Sequence, residues 1–296
     1  MIEDLKNEGK IDSSGRFTLD PQKASEKLAR YRLSNPHAYI LHLAAGAVAA
    51  GATRLTFSRS PGGLRFEHDG ACPDFDQLTQ LLEVLSQSPP PAAPQRELAI
   101  AVQALRALNP SLLTLTCPSG SLQLTRRQLS VSPSGASDCQ VVTINPGGIG
   151  GKIRQLLQAD LPELRWLSEH FLYCPIAVET PQGTVNRLWP FRVPAWSARE
   201  TPWPLRSCRL ETREATAWAW AAAHKPDKSD IAPNLEIVIH GRSYPKREDR
   251  LQGTALVYSD TLSRDLTQER IVEDDLYLQM LDALNGPGVT LNSSQV

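Results

Sequence analysis

Apolar and small residues run almost unbroken from Ala38 to Ala50, with His42 the one strongly polar interruption, and Gly51 follows. That pattern predicts a buried helix over about 36–50 that stops at the glycine. Leu55 and Phe57 then alternate with polar neighbours, Pro61-Gly62-Gly63 turns the chain, and Leu64 and Phe66 alternate back, which predicts a hairpin. Helical spacing returns at Phe75, Leu78, Leu81, Leu82 and Leu85, and again at Leu98, Val102, Leu105 and Leu108. The proline-rich stretch 88–94 between them reads as a long loop. Strands are expected at 112–117, 122–125 and 141–144, then a helix from Lys152 to about Phe171 and a strand at 175–179. Upstream, Asp20-Pro21 opens a further helix. Beyond residue 204 the pattern predicts strands at 215–223, 235–239 and 253–258, and a helix over about 262–284. Together these make an α+β chain: a two-layer helix-on-sheet sandwich over 1–185, a Pro/Trp-rich linker over 186–206, and a smaller α+β unit over 207–296.

Composition narrows the function more than the fold. The 296 residues carry 31 Lys+Arg and 32 Asp+Glu, a net charge of −1, so no polyelectrolyte argument points to nucleic acid or to an anionic membrane. The charged start Met1-Ile2-Glu3-Asp4 lacks the apolar core of a secretory signal, and the stretch Ala38 to Ala52 is too short to span a bilayer. Five scattered cysteines (Cys72, Cys117, Cys139, Cys174, Cys208) form no CxxC, which is expected of free thiols in the cytoplasm. All six tryptophans lie between Trp166 and Trp220, three of them (Trp189, Trp196, Trp203) in the linker, where they are expected to pack an irregular crossing, with a binding surface as the alternative.

Several familiar chemistries have no motif to carry them. Gly147-Gly148-Ile149-Gly150-Gly151-Lys152 fails as a Walker loop, because Pro146 stands where the first glycine belongs and Ile153 where Ser or Thr belongs. It reads as a strand-to-helix connection. No HExxH, GxSxG or HxE with PCxxC occurs, so zinc hydrolase, α/β-hydrolase and deaminase readings lack support.

One order of elements is distinctive: a helix ending in Ala-Gly-Ala-Thr, a strand hairpin, and a His-Asp-Gly turn at 68–70. It resembles the ATP-binding (Bergerat) fold of the GHKL superfamily, which joins DNA gyrase, the ninety-kilodalton heat-shock chaperones, histidine kinases and MutL. The run His170-Phe171-Leu172-Tyr173-Cys174-Pro175-Ile176 looks like the end of the chaperone nucleotide domain, so the resemblance is closest to an HtpG-type chaperone. More loosely, 253–269 resembles the chaperone middle-domain segment that sends a positive side chain to the terminal phosphate.

The resemblance implies a site, and this sequence departs from it at nearly every position. The family's helix reads Glu-x-x-x-Asn-x-x-Asp-Ala; here those places hold His42, Gly46 and Ala49. His42 takes the place of the general base, and imidazole can serve as one near neutral pH. Gly46 has no oxygen for magnesium, and Ala49 offers no polar contact. The Asp that binds the adenine amino group falls at His68, with Asp69 beside it as a substitute and Gly70 completing the turn. The lid region Gln95-Arg96-Glu97-Leu98-Ala99-Ile100 has no glycine, and Gln268 stands where the phosphate-sensing Arg belongs, with Arg264 and Arg270 nearby but out of register. Losing the metal site removes most of the electrostatic stabilisation that phosphoryl transfer depends on. The expectation is therefore a non-catalytic chaperone-type relative kept for protein interaction or regulation, with no catalytic residue, metal or cofactor, a protein partner, no nucleic acid, no membrane, and room for a homodimer. The alternative is an active ATPase that binds ATP with magnesium and uses His42 as base.

Overall fold

The computed structural model describes residues 33, 35–60, 63–81, 83, 85, 92–108, 110–125, 128–133, 139–145, 161–186, 205–211, 216–222, 233–251, 254–265 and 268–285. The expected Asp20-Pro21 helix, the glycine-rich connection at 147–152, nearly all of the linker and its three tryptophans lie outside them.

An eight-stranded sheet organises the first part. β1 (Arg54–Ser60) and β2 (Gly63–His68) form the expected hairpin, with Phe57 opposite Phe66. β3 (Leu112–Cys117), β4 (Gly120–Thr125), β5 (Leu129–Ser132) and β6 (Gln140–Asn145) follow, then β7 (Ala177–Thr180) and the two-residue β8 (Gly183–Thr184). The order across the sheet is β5-β4-β3-β6-β2-β1-β7-β8, antiparallel except for β1 against β7. Alternation sends Leu55, Phe57, Phe66, Leu113, Leu115 and Val142 into the core.

The helices lie on that apolar face. α1 (Tyr39–Ala49), preceded by a single tight turn at Pro36–Ala38, is buried continuously from Tyr39 to Ala47. A helix apolar all round must be covered on every side. Beneath it lies the sheet, and against it pack α3 (Ala93–Ala107) and α4 (Pro162–His170). Glu163 ties α4 to α1, with its Oε1 2.8 Å from His37 Nδ1 and accepting from Tyr39 Oη at 3.1 Å. The short α2 (Phe75–Thr79) starts at a capping box between Asp74 and Gln77. It ends at Thr79 instead of running on to Leu85.

A five-stranded sheet forms the second part, in the order β12-β11-β13-β10-β9: β9 (Leu205–Glu211), β10 (Thr216–Ala222), β11 (Leu235–Ile239), β12 (Arg242–Lys246) and β13 (Thr254–Tyr258). α5 (Asp275–Asn285) covers one face, bringing Tyr277, Met280 and Leu281 onto Ile237, Tyr244 and Val257. The molecule is thus α+β, as the pattern predicted.

Several elements differ from the sequence reading. α3 begins at Ala93, so Pro94 belongs to its first turn, where a missing N–H costs nothing. The helix expected from 262 begins only at Asp275. Asp265 carboxylate accepts from the Glu269 and Arg270 N–H groups, Gln268 adopts φ 60°, and Arg264 bridges to Ile271, none of which is helical. Strands β5, β8, β9 and β12 were not foreseen. β12 is an edge strand, which is where Pro245 can sit without breaking a ladder.

The two parts are docked at the β11–β12 turn. His240 and Gly241 both have positive φ (48° and 78°), as a two-residue hairpin turn of this hand requires. A Cβ on Gly241 would stand 2.8 Å from Cys174 Sγ and 3.0 Å from Val48 Cγ2, so the turn tip sits directly on the first part. Tyr258 Oη donates to Tyr173 O at 2.8 Å beside it.

Candidate functional site

The end of α1, the His68 turn and the start of α3 enclose a cavity of about 240 Å³. Its walls include Leu43, Gly46, Ala50, His68, Leu98 and Gln140. Of the positions singled out by the resemblance, Gly46, His68 and, from the lid region, Gln95 and Leu98 line it. His42, Ala49, Asp69 and Gly70 do not.

α3 presses on α1 at Gly46. A Cβ there would lie 3.3 Å from Glu97 Cβ and 3.6 Å from Pro94 O. The lid region of the sequence reading is the first turn and a half of this helix, and the space a metal-holding Asn would need is occupied by Glu97. One turn earlier, His42 Nδ1 lies 2.8 Å from Glu97 Oε2, with both side chains 0 % exposed. The other carboxylate oxygen, Oε1, accepts from Arg264, which reaches across from the second part and whose side chain is 2 % exposed. Arg264 also donates to Tyr244 Oη at 3.2 Å.

The charges of this trio follow from their surroundings. Burial pushes the Glu97 carboxyl up, but the His42 hydrogen bond and the Arg264 charge outweigh it and hold the group well below the usual carboxylate range. Burial likewise opposes the Arg264 charge, and Glu97 with Tyr244 more than offsets it. Burial lowers the His42 pKa despite the Glu97 contact, so near neutral pH the imidazole is uncharged. Its Nδ1–H then donates to the carboxylate. The remaining Nε2 is closed to solvent and has no hydrogen-bond partner. An imidazole nitrogen that water cannot touch cannot draw a proton from water in this arrangement.

The His68 turn is equally committed. His68 Nδ1 accepts from the Gly70 N–H at 3.1 Å, which fixes the proton on Nε2, and that group bonds to the Gln140 side chain. Burial lowers its pKa to about 4, against the opposing pull of Asp69 and Gln140. A neutral imidazole so held is a donor on this side, whereas an Asp would accept. Asp69 turns the other way: it accepts from the Thr53 N–H (2.8 Å), Thr53 Oγ1 (2.5 Å) and Arg54 N–H (3.1 Å), and the Thr53 hydroxyl leads in pulling its carboxyl down to about 2. Gly70 is a packing glycine, because a Cβ there would stand 2.8 Å from Ala52 N and 3.0 Å from Ala50 O.

Gln268 does not face this site. Its Nε2 donates to Asp265 O, and Arg264, four residues earlier, makes the contact to the first part. Sequence reasoning quoted both Glu97 and Arg264 without joining them. The available signal was a lone carboxylate on the apolar face of α3, in line with Ala101 and Leu105.

The residues present do not fit magnesium with a nucleoside triphosphate. Gly46 supplies no ligand oxygen, the single carboxylate at hand is already paired, and no Lys or Arg lines the cavity. Among the described residues no three His, Cys, Asp or Glu side chains gather to hold a metal, and no helix is long and apolar enough to cross a membrane.

A helix-on-sheet layer with a cavity at the end of a buried helix is followed by a second sheet whose Arg264 reaches back to Glu97. The B subunit of DNA gyrase from Myxococcus xanthus shares the fold, with a TM-score of 0.56, 11 % identity, and coverage of 90 % of this chain and 94 % of that one. No family model and no curated protein sequence matches the chain. The likeness is therefore one of fold, a gyrase B-like arrangement, and it does not single out the chaperone.

Proposed function

We propose that this chain is a non-catalytic, chaperone-type ATPase-like protein that acts in the cytoplasm by binding or regulating a protein partner. The observation that carries the reading is the buried trio His42–Glu97–Arg264. Its carboxylate supplies, from within the chain, the negative charge to which the second part docks. Closure then needs no ligand and no hydrolysis. Nothing in the net charge of −1 favours the nucleic acid named with the gyrase neighbour.

Titration calorimetry with magnesium-ATP, together with a phosphate-release assay, tests this. The expected result is no binding heat at millimolar nucleotide and no turnover. A Kd below about 100 μM, with hydrolysis lost in His42→Ala, establishes the active ATPase instead.

A further inference from the structure

Buried polar atoms without a partner gather where β12 meets the first part. Arg242 opens β12 directly after the turn tip at Gly241; it is 4 % exposed, yet its Nε and Nη1 have no hydrogen-bond partner. β12 packs there against both α1 and α4. His42 Nε2, on the ring edge away from Glu97, and His170 Nδ1, at the end of α4, are likewise closed to solvent and unpartnered. The Arg242 charge opposes protonation of both imidazoles, as a near neighbour of each does. Tyr244, two residues along the same strand, lies under the guanidinium at 4.9 Å and accepts from Arg264. This is a different face of α1 from the cavity wall: Leu43, Gly46 and Ala50 line the cavity, whereas the turn beside Arg242 meets α1 at Val48.

A buried guanidinium without a counter-charge is the costliest of these orphans. Among the described residues the carboxylates around it are engaged elsewhere. Glu97 holds Arg264 and, at 3.8 Å, Arg96; Glu163 accepts from His37 and Tyr39; Glu169 holds Arg165; Asp260 accepts from the His240 N–H. The Tyr244 ring softens the Arg242 charge without cancelling it. Water would fill the hydrogen bonds and leave the charge, so an anion is the better complement. The imidazoles narrow its identity. His42 gives its Nδ1–H to Glu97, and the His170 ring donates to the Ser243 backbone, so the two bare nitrogens are lone pairs that accept. A fully ionised oxyanion would set its own lone pairs against them. One that keeps hydroxyl protons accepts from Arg242 and donates to the imidazoles at once. We propose that Arg242, His42 and His170 form a site, between the two parts of the molecule, for a small protonated oxyanion of the dihydrogen phosphate class. The site does not depend on whether the cavity takes a nucleotide.

The test uses the full chain and two tetrahedral probes, inorganic phosphate and sulfate, near neutral pH, where phosphate keeps at least one proton and sulfate keeps none. Calorimetry in chloride buffer of constant ionic strength measures affinity, and the imidazole nitrogen resonances of His42 and His170 report the place. The expected result is saturable phosphate binding, about tenfold or more tighter than sulfate, as a buried hydrogen bond set against opposed lone pairs gives, with both imidazole signals shifting. Arg242→Met abolishes it and, without phosphate, melts no lower than the parent, because the unpaired charge has gone. Arg242→Lys keeps the charge but not the planar fork and weakens phosphate about tenfold or more; it carries the comparison should Arg242→Met fail to fold. No phosphate binding up to about 10 mM overturns the proposal and leaves the site to water. Equal affinity for sulfate overturns it, and so does binding that persists in Arg242→Met, which marks an adventitious ion only.

Discussion

Arg264→Met removes the guanidinium and keeps most of the stem, so Glu97, 0 % exposed, is left with His42 and with the more distant, partly exposed Arg96 guanidinium at 3.8 Å. Stripping one partner from a buried pair costs roughly 3–5 kcal/mol, against ~0–1 kcal/mol for a pair at the surface. Part of that cost returns at low pH. After burial, the Arg242 charge and then the Arg264 charge help keep a proton off His42. Without it the His42 pKa rises, and an imidazolium beside Glu97 restores a neutral pair. The loss therefore shrinks as pH falls from ~8 to ~5.5, across the usual titration range of histidine near ~6.5. Glu97→Gln costs a similar amount by orphaning Arg264. In the double variant Glu97→Gln/Arg264→Met neither charge remains, and its destabilisation falls short of the sum of the singles by about 2–4 kcal/mol. Urea unfolding followed by tryptophan fluorescence at the two pH values measures all four proteins. A loss below about 1 kcal/mol for Arg264→Met, or strict additivity in the cycle, refutes the idea that the two parts are joined by a desolvated charge.

Two further outcomes follow from the same geometry. Gly46→Asn, which restores the oxygen that the GHKL motif carries there, forces a Cβ to 3.3 Å from Glu97 Cβ; it lowers stability by ~1–3 kcal/mol in thermal melts and confers no magnesium-ATP binding by calorimetry. Stability also depends on pH through two buried groups of opposite sense, read from urea midpoints between pH 4 and 8. His68, depressed from ~6.5 unfolded to about 4 folded, contributes up to ~3 kcal/mol above pH 6.5 that fades as pH falls towards 4, and His68→Phe removes that slope. Glu236, raised by burial from 4.5 to about 7, does the reverse, so Glu236→Gln stabilises the chain by up to ~3 kcal/mol above pH 7 and changes little below 4.5.

What the sequence disclosed and what it hid divide along the distance over which each feature is set. α1 and the β1–β2 hairpin were legible because a fully buried helix must be apolar on all sides and a half-buried hairpin must alternate. The turn at 68–70 was legible as a motif. The Glu97–Arg264 pair was not, because its members are 167 residues apart and no local pattern joins them. β12 was hidden by its polar composition and Pro245, both tolerated at a sheet edge, although His240-Gly241 is the kind of dipeptide that two-residue hairpin turns use. The bridge between Arg264 and Ile271 was hidden by leucines at helical spacing on either side. There Asp265, hydrogen-bonding to its own backbone, won over propensity.

The bare tip at Gly241 governs how this molecule can be taken apart. Because it rests on Cys174, Val48 and Phe171 with no side chain between, excising residues 205–285 would strip the lid from that apolar floor and strand the Glu97 carboxylate. The first 185 residues expressed alone would then be sticky and short of a cation. Gene fragments cut at the linker are therefore poor starting material, and the smallest unit worth purifying holds both sheets.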